Sequence, residues 1–148
     1  YTSSAGTAAD AVGASSKAVN DVYKKFNAEN VIYSNCKELS IVSSGDAYTD
    51  LGGVTITPGV YAAIGRAIFQ SESSSGSRKL RIFLTTSSGT SEYADECVKA
   101  ASSNWTRLSV CDIFKTTVSG TLKVGASQNS GSAITTTGWI TCVQLKSL

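Results

Sequence analysis

Glu92, Asp95 and Glu96 form the densest acidic cluster of the chain. Two carboxylates can cleave a glycosidic bond when both face one substrate, one as acid and the other as base or nucleophile. Neighbours on a strand point to opposite faces, so Asp95 and Glu96 cannot easily serve a common substrate. Glu92 and Glu96 share a parity and could hold a cation together with loop oxygens. Solvated surface charge is the plainer account. The chain contains no histidine, which removes the commonest general base, the usual Ser and Cys triads and most zinc sites. Its four cysteines, Cys36, Cys97, Cys111 and Cys142, contain no CxxC pair, so a zinc knuckle is not expected. They are either buried thiols acting as small hydrophobes or two disulfides with three possible pairings. A core of sufficient size favours the thiols. The residues therefore read as a non-enzymatic protein with no metal and no cofactor.

The remaining residue types suit recognition by contact. Trp105 and Trp139 are the only tryptophans, and each begins a strand-like run after a polar loop. An indole face stacks on the apolar side of a sugar ring while its N–H makes a polar contact, although packing in a core or subunit interface is the commoner fate of large aromatics. Tyr93, beside the acidic cluster, is a further rim candidate. Asn104, Gln128 and Asn129 carry amides that pair well with sugar hydroxyls. The segment Gln128-Asn-Ser-Gly131 reads equally well as a tight turn whose glycine takes a positive φ. The serine-rich stretch Ser71–Ser77 could hydrogen-bond a ligand or be a solvated turn. Asn104-Trp-Thr106 matches a glycosylation sequon, which matters only for a secreted eukaryotic chain.

Those side chains must be positioned by a chain of 148 residues, enough for one domain with a short appendage. A net charge of +2, with 16% charged residues, gives no case for nucleic acid or an anionic membrane. No run of about eighteen apolar residues exists to cross a bilayer as a helix, and no signal peptide is visible. The chain begins at Tyr1 without a methionine and is expected to be a fragment of a longer protein.

Two kinds of element follow. From Thr7 to Phe26 there is no proline, and Ala5, Val12, Val19 and Phe26 fall seven apart, with Ala8, Ser15 and Val22 interleaved. This spacing predicts a coiled-coil stalk over residues 1–29, too short and Ala/Ser-rich to hold chains together alone. A helix packed on its own domain is the alternative. From residue 30 to 148 the runs Val31–Val42, Tyr48–Thr57, Val60–Gln70, Leu80–Thr86, Glu92–Lys99, Trp105–Phe114, Thr121–Ser127 and Ile134–Leu145 read as strands separated by Gly/Ser/Asn turns. About eight short strands without helices between them mean a sandwich, jelly roll or barrel.

The stretch Thr55-Ile-Thr-Pro-Gly-Val-Tyr61, the apolar strand through Phe69, Ser77-Arg-Lys-Leu-Arg-Ile82, Trp105-Thr-Arg-Leu-Ser-Val110, Val124-Gly-Ala-Ser-Gln-Asn-Ser-Gly131 and Ile140-Thr-Cys-Val-Gln-Leu145 resemble complement-C1q/TNF-like heads. In this form they resemble the C-terminal heads of bacteriophage tail fibres and receptor-binding proteins. The segment Ala8–Tyr23 is similar to the Ala-rich stalks of such fibres. The resemblance covers nearly the whole chain, although four cysteines exceed what such heads usually carry. It implies a mainly β, C1q/TNF-like jelly roll of ten strands after one N-terminal helix. It also implies a homotrimer with one sheet of each subunit facing the threefold axis. Val12, Val19, Val22 and Phe26 would line the stalk. The implied role is a virion fibre head joined to an upstream attachment region, binding a host surface glycan, cell-wall polymer or protein for adsorption. A structural capsid head-fibre or decoration protein, and a bacterial surface adhesin or C1q-like binding module, are the alternatives.

Overall fold

A computed structural model describes residues 16–21, 31–33, 37–43, 47–101 and 104–148. Nine strands occur among these: β1 (Val31–Tyr33), β2 (Lys37–Ile41), β3 (Thr49–Ile56), β4 (Gly59–Phe69), β5 (Ser77–Thr86), β6 (Gly89–Lys99), β7 (Thr106–Thr116), β8 (Gly120–Gln128) and β9 (Ile134–Ser147). The expected run 31–42 is thus divided into β1 and β2. The run 48–57 stays one strand, with a register shift between Asp50 and Gly52 where it pairs with β8.

The chain falls into two compact units, Tyr1–Val31 and Ile32–Leu148. In the first, residues 16–21 are helical, Lys17 Nζ lies 2.6 Å from Asp21 Oδ2, and Val19 is exposed. Six helical residues are less than a heptad and do not show a coiled coil. The other stalk positions, Val12, Val22 and Phe26, lie outside the described residues, as does Cys36.

In the larger unit the strands form a sandwich of two sheets. One runs β1-β9-β4-β7, with β2 also paired to β9; the other runs β3-β8-β5-β6. The pairings β2–β9, β3–β8, β4–β7, β4–β9, β5–β6 and β5–β8 are all antiparallel. Alternation of side chains builds the core: β4 turns Tyr61, Ala63, Ala67 and Phe69 inward, and β7 turns Leu108, Val110 and Phe114 inward to meet Leu80, Ile82, Leu84, Leu122 and Val124 of the opposite sheet. Each of the larger of these side chains contributes about 1.5–3 kcal/mol on leaving water. Leu51 enters the β9 side of this core only because residue 138 is glycine: a Cβ there would stand 2.5 Å from Leu51 Cδ1.

The described thiols are free, with Cys142 buried in the core and Cys97 and Cys111 exposed. The expectation of buried thiols holds for Cys142; Cys97 and Cys111 are free but exposed, because their strand positions turn them away from the core.

Candidate functional site

The two outward faces of the sandwich differ in how far they satisfy themselves. On the β3-β8-β5-β6 sheet, the Arg81 guanidinium lies between the rings of Tyr48 and Phe83, 4.2 and 4.4 Å from their centroids. Its Nη1 is 3.2 Å from Glu92 Oε2. Beside it, Lys123 Nζ is 2.9 Å from Asp50 Oδ2 and 5.9 Å from the Phe83 ring centroid. Cations here meet both carboxylates and aromatic faces, so this surface is charge-matched and closed by its own contacts.

The outward face of β9-β4-β7 is not closed in that way. Register sets its side chains in rows across the three strands. Val143, Ala62 and Ile113 form one row and Thr141, Ile64 and Cys111 the next; Trp139, Arg66 and Ser109 follow, then Thr137, Ile68 and Arg107. The first two rows are an apolar half, on which Ile64 is 44% and Ile113 67% exposed. The last two rows are a basic half. Arg66, Ile68, Arg107, Ser109 and Trp139 line a shallow depression there of about 270 Å³. Neither Arg66 nor Arg107 pairs with a carboxylate among the described residues. Glu38, at the far end of the Thr137 row on β2, is occupied: its Oε2 accepts from Gln70 Nε2 at 2.8 Å and Thr137 Oγ1 at 3.0 Å.

Of the six ligand-binding candidates, only Trp139 lines this surface, from the middle of β9 and not from the start of a strand as its polar leader suggested, since Thr135, Thr136 and Thr137 are themselves in the ladder. Trp105 is 43% exposed just ahead of β7, where its backbone N–H donates to Asn104 Oδ1 at 2.8 Å. Tyr93 stacks on Phe114 at 4.0 Å between ring centroids, and Phe114 stacks in turn on Tyr61 at 5.8 Å. Burial, with Asp112 nearby, raises the Tyr93 phenol above its ordinary pKa. Gln128 is fully buried: its Nε2 donates to Ile41 O at 2.9 Å and Ser132 O at 2.7 Å, and its Oε1 accepts from Ser130 N at 2.8 Å. Asn129 Oδ1 accepts from the backbone N–H and hydroxyl of Ser77. Both amides fasten loops; that of Gln128 is fully used inside the protein, whereas Asn129 is exposed and is held through Oδ1.

The acidic cluster is rearranged by a bulge. Between Ile82 and Phe83 the β5–β6 register shifts, so Glu92 stands opposite Phe83 while Glu96 stands opposite Leu80. Cross-strand partners share a face, and Leu80 is a core residue, so Glu92 and Glu96 do not share one as their parity suggested. No group of three potential metal ligands occurs among the described residues.

The serine-rich stretch is a connection from β4 to β5, which lie in different sheets, and it is not a free loop either. Arg78, fully buried, donates from Nη1 to Ser75 O at 3.0 Å and Ser77 O at 3.2 Å, and from Nη2 to Ser73 O at 3.2 Å. The loop carbonyls are therefore wrapped around a buried cation, whose pKa desolvation lowers. Gly76 makes the closure possible: its φ is +73°, and a Cβ would meet Asn129 Oδ1 at 2.5 Å.

Arg66, Arg107, Ile64 and Ile113 went unmarked in the sequence, although a signal was present. β4 reads Val60-Tyr-Ala-Ala-Ile-Gly-Arg-Ala-Ile-Phe69, apolar on both parities. An antiparallel strand that is apolar on both sides is a strand meant to be covered on both sides.

No protein-family model matches the chain, and no curated relative matches it. Solved structures do. The Eiger TNF of S. frugiperda superposes with a TM-score of 0.59 at 10% identity, over 81% of this chain and 96% of that one. The globular domain of zebrafish complement 1qA gives 0.55 at 12% identity, over 79% and 98%. VP2 of the infectious bursal disease virus subviral particle gives 0.57 at 11% identity, over 80% of this chain and 33% of that one. The fold is thus a C1q/TNF-like jelly-roll sandwich, shared with a viral capsid protein.

Proposed function

We propose that this chain is the head of a viral fibre, of the bacteriophage tail-fibre kind, that assembles as a homotrimer and holds a host surface glycan for adsorption. The observation that carries the reading is the bare apolar half of the β9-β4-β7 face. Ile113 is 67% exposed on β7, whereas Arg81 and Lys123 on the opposite sheet are each paired with a carboxylate. Exposed apolar faces of this kind mark association surfaces. The occupant is a second copy of the same chain, since the sandwich is that of the TNF and C1q heads and the apolar rows stop where the basic rows begin. Around a threefold axis three copies would each bury Ala62, Ile64, Ile113 and Val143. The mechanism is adhesion, with no bond made or broken. Three equal sites on one rigid head turn weak single contacts into useful avidity. The residues before β1 would join the head to an upstream virion-attachment region and set the register of three chains.

The likeness to VP2 favours a second reading, a structural capsid or decoration protein without a receptor. One experiment divides the two. Fluorescently labelled protein is mixed with candidate host cells, untreated and after periodate oxidation of their surface sugars. A receptor-binding head stains untreated cells and loses most of the staining after oxidation. A decoration protein stains neither, and that result sets the adsorption reading aside.

A further inference from the structure

We infer that the basic half of the β9-β4-β7 face binds a sugar ring carrying a carboxylate or phosphate, with Arg66 and Arg107 taking the anion and Trp139 the ring. The inference deepens the glycan-binding reading and rests on it.

Arg66 sits on the middle strand, opposite Trp139 on one side and Ser109 on the other. Arg107 is opposite Ile68, two residues along, so the two guanidiniums are diagonal neighbours on one face. Side chains so placed on adjacent strands start about 7–8 Å apart, within reach of a common anion. Two like charges held this close repel unless something neutralises them. The other arginine on an outward face, Arg81, has its own carboxylate 3.2 Å away. Arg66 and Arg107 have none among the described residues, and no acidic side chain lines the depression. Glu38 lies in the Arg107 row but three strands away, roughly 14 Å at the usual strand spacing, and its Oε2 is already bonded twice. Among the described residues the neutralising charge has no source.

The remaining lining residues say what the charge is attached to. Trp139 is half-buried at the edge of the depression, and Ile68 is half-buried in its floor. Together they offer an apolar wall beside the guanidiniums, which a bare inorganic anion would not use and a pyranose face would. Ser109, exposed beside Arg66, adds a hydroxyl donor and acceptor. The volume, about 270 Å³, lies below the usual range for drug-sized ligands of about 300–1,000 Å³, and suits one ring at a chain end. A planar guanidinium fork matches carboxylate or phosphate oxygens two at a time, so the discrimination between acidic and neutral sugars should be steep.

The test is a titration of the full chain followed by NMR, reading the indole N–H resonances of Trp139 and Trp105 together. The probes are glucuronic acid, glucose 6-phosphate, neutral glucose and, as ring-free anions, acetate and inorganic phosphate. A saturable shift of Trp139 with either acidic sugar, weaker with added salt and absent with glucose, is the expected result; which acid binds identifies the anion. R66Q and R107Q should each weaken it about tenfold or more. Equal binding of glucose, no response at Trp139, or variants that titrate like wild type would overturn the proposal. So would acetate or phosphate binding as tightly as the sugar acids, which leaves a bare anion site. Loss of solution mass in R66Q or R107Q would also overturn it, because the arginines would then be holding a neighbouring copy. Mass and cell staining of the same samples separate this inference from its premise. A protein that associates and stains cells but ignores acidic sugars loses only the inference. One that neither associates nor stains loses the premise.

Discussion

Arg78 carries a charge that no solvent reaches, and its partners are three main-chain carbonyls of the β4–β5 connection that precedes it. R78M keeps most of the volume and removes the donors. It is expected to lose about 1–3 kcal/mol of unfolding free energy in a denaturant titration and to open the bond after Ser73 or Ser75 to protease. An unchanged midpoint with an intact β4–β5 connection would contradict the role given to the guanidinium. Cys142 offers a second test. Burial pushes its thiol from the ordinary 9.0 up to about 11. Below about pH 9 folded and unfolded chains both keep the proton, and stability is undiminished. Between about pH 9 and 11 only the unfolded chain releases it, so stability falls as pH rises, by about 2–3 kcal/mol across the window. Tyr48 and Tyr93, also raised chiefly by burial, act with the same sign, so the thiol's share is the part of the decline that C142A removes. At this scale the sequence was least legible. The turn reading of Gln128-Asn-Ser-Gly131 holds, with Gly131 at a φ of +92°, but the partners of its two amides were not legible. Which way a polar side chain turns depends on neighbours far along the chain, such as Ile41 for Gln128 and Ser77 for Asn129.

Among the elements, β9 and β3 meet where Gly138 makes room for Leu51. G138A drives a methyl group into that side chain and is expected to cost about 1–3 kcal/mol, less in an L51A background than alone. Additive losses in the double variant would show that the close approach is not what the glycine serves. β4 and β7 present the apolar half, and I113D places a charge in its centre. The variant is expected to stay folded by circular dichroism and to lose association. Cys111 lies in the same rows, so in the assembled protein it should resist a thiol reagent that labels exposed Cys97 at once, and I113D should make both react alike. Peptide mapping by mass spectrometry reads the two sites separately. Strand existence was legible from period-two alternation and Gly/Ser punctuation, and the ends moved by only a few residues. The bulge beside Phe83 was not legible, and it put Glu92 and Glu96 on different faces. A one-residue insertion in a ladder follows from pairing, which parity along a single strand does not record.

For the whole molecule, the jelly-roll sandwich was legible because about eight strand-like runs with no helix between them leave few ways to bury two apolar faces. The likeness to TNF, C1q and VP2 heads bears out that architecture. The apolar patch proposed for self-association was half legible: β4 is apolar on both parities, but only pairing with β7 and β9 gathers Ile64, Ile113 and Val143 into one patch. The central claim is that this patch is covered by two further copies of the chain. The most direct measurement is the solution mass by light scattering, wild type beside I113D. The expected result is three times the 15.4 kDa chain mass for the wild type and a single chain for the variant. A wild type that runs as a single chain at the same concentration would contradict it.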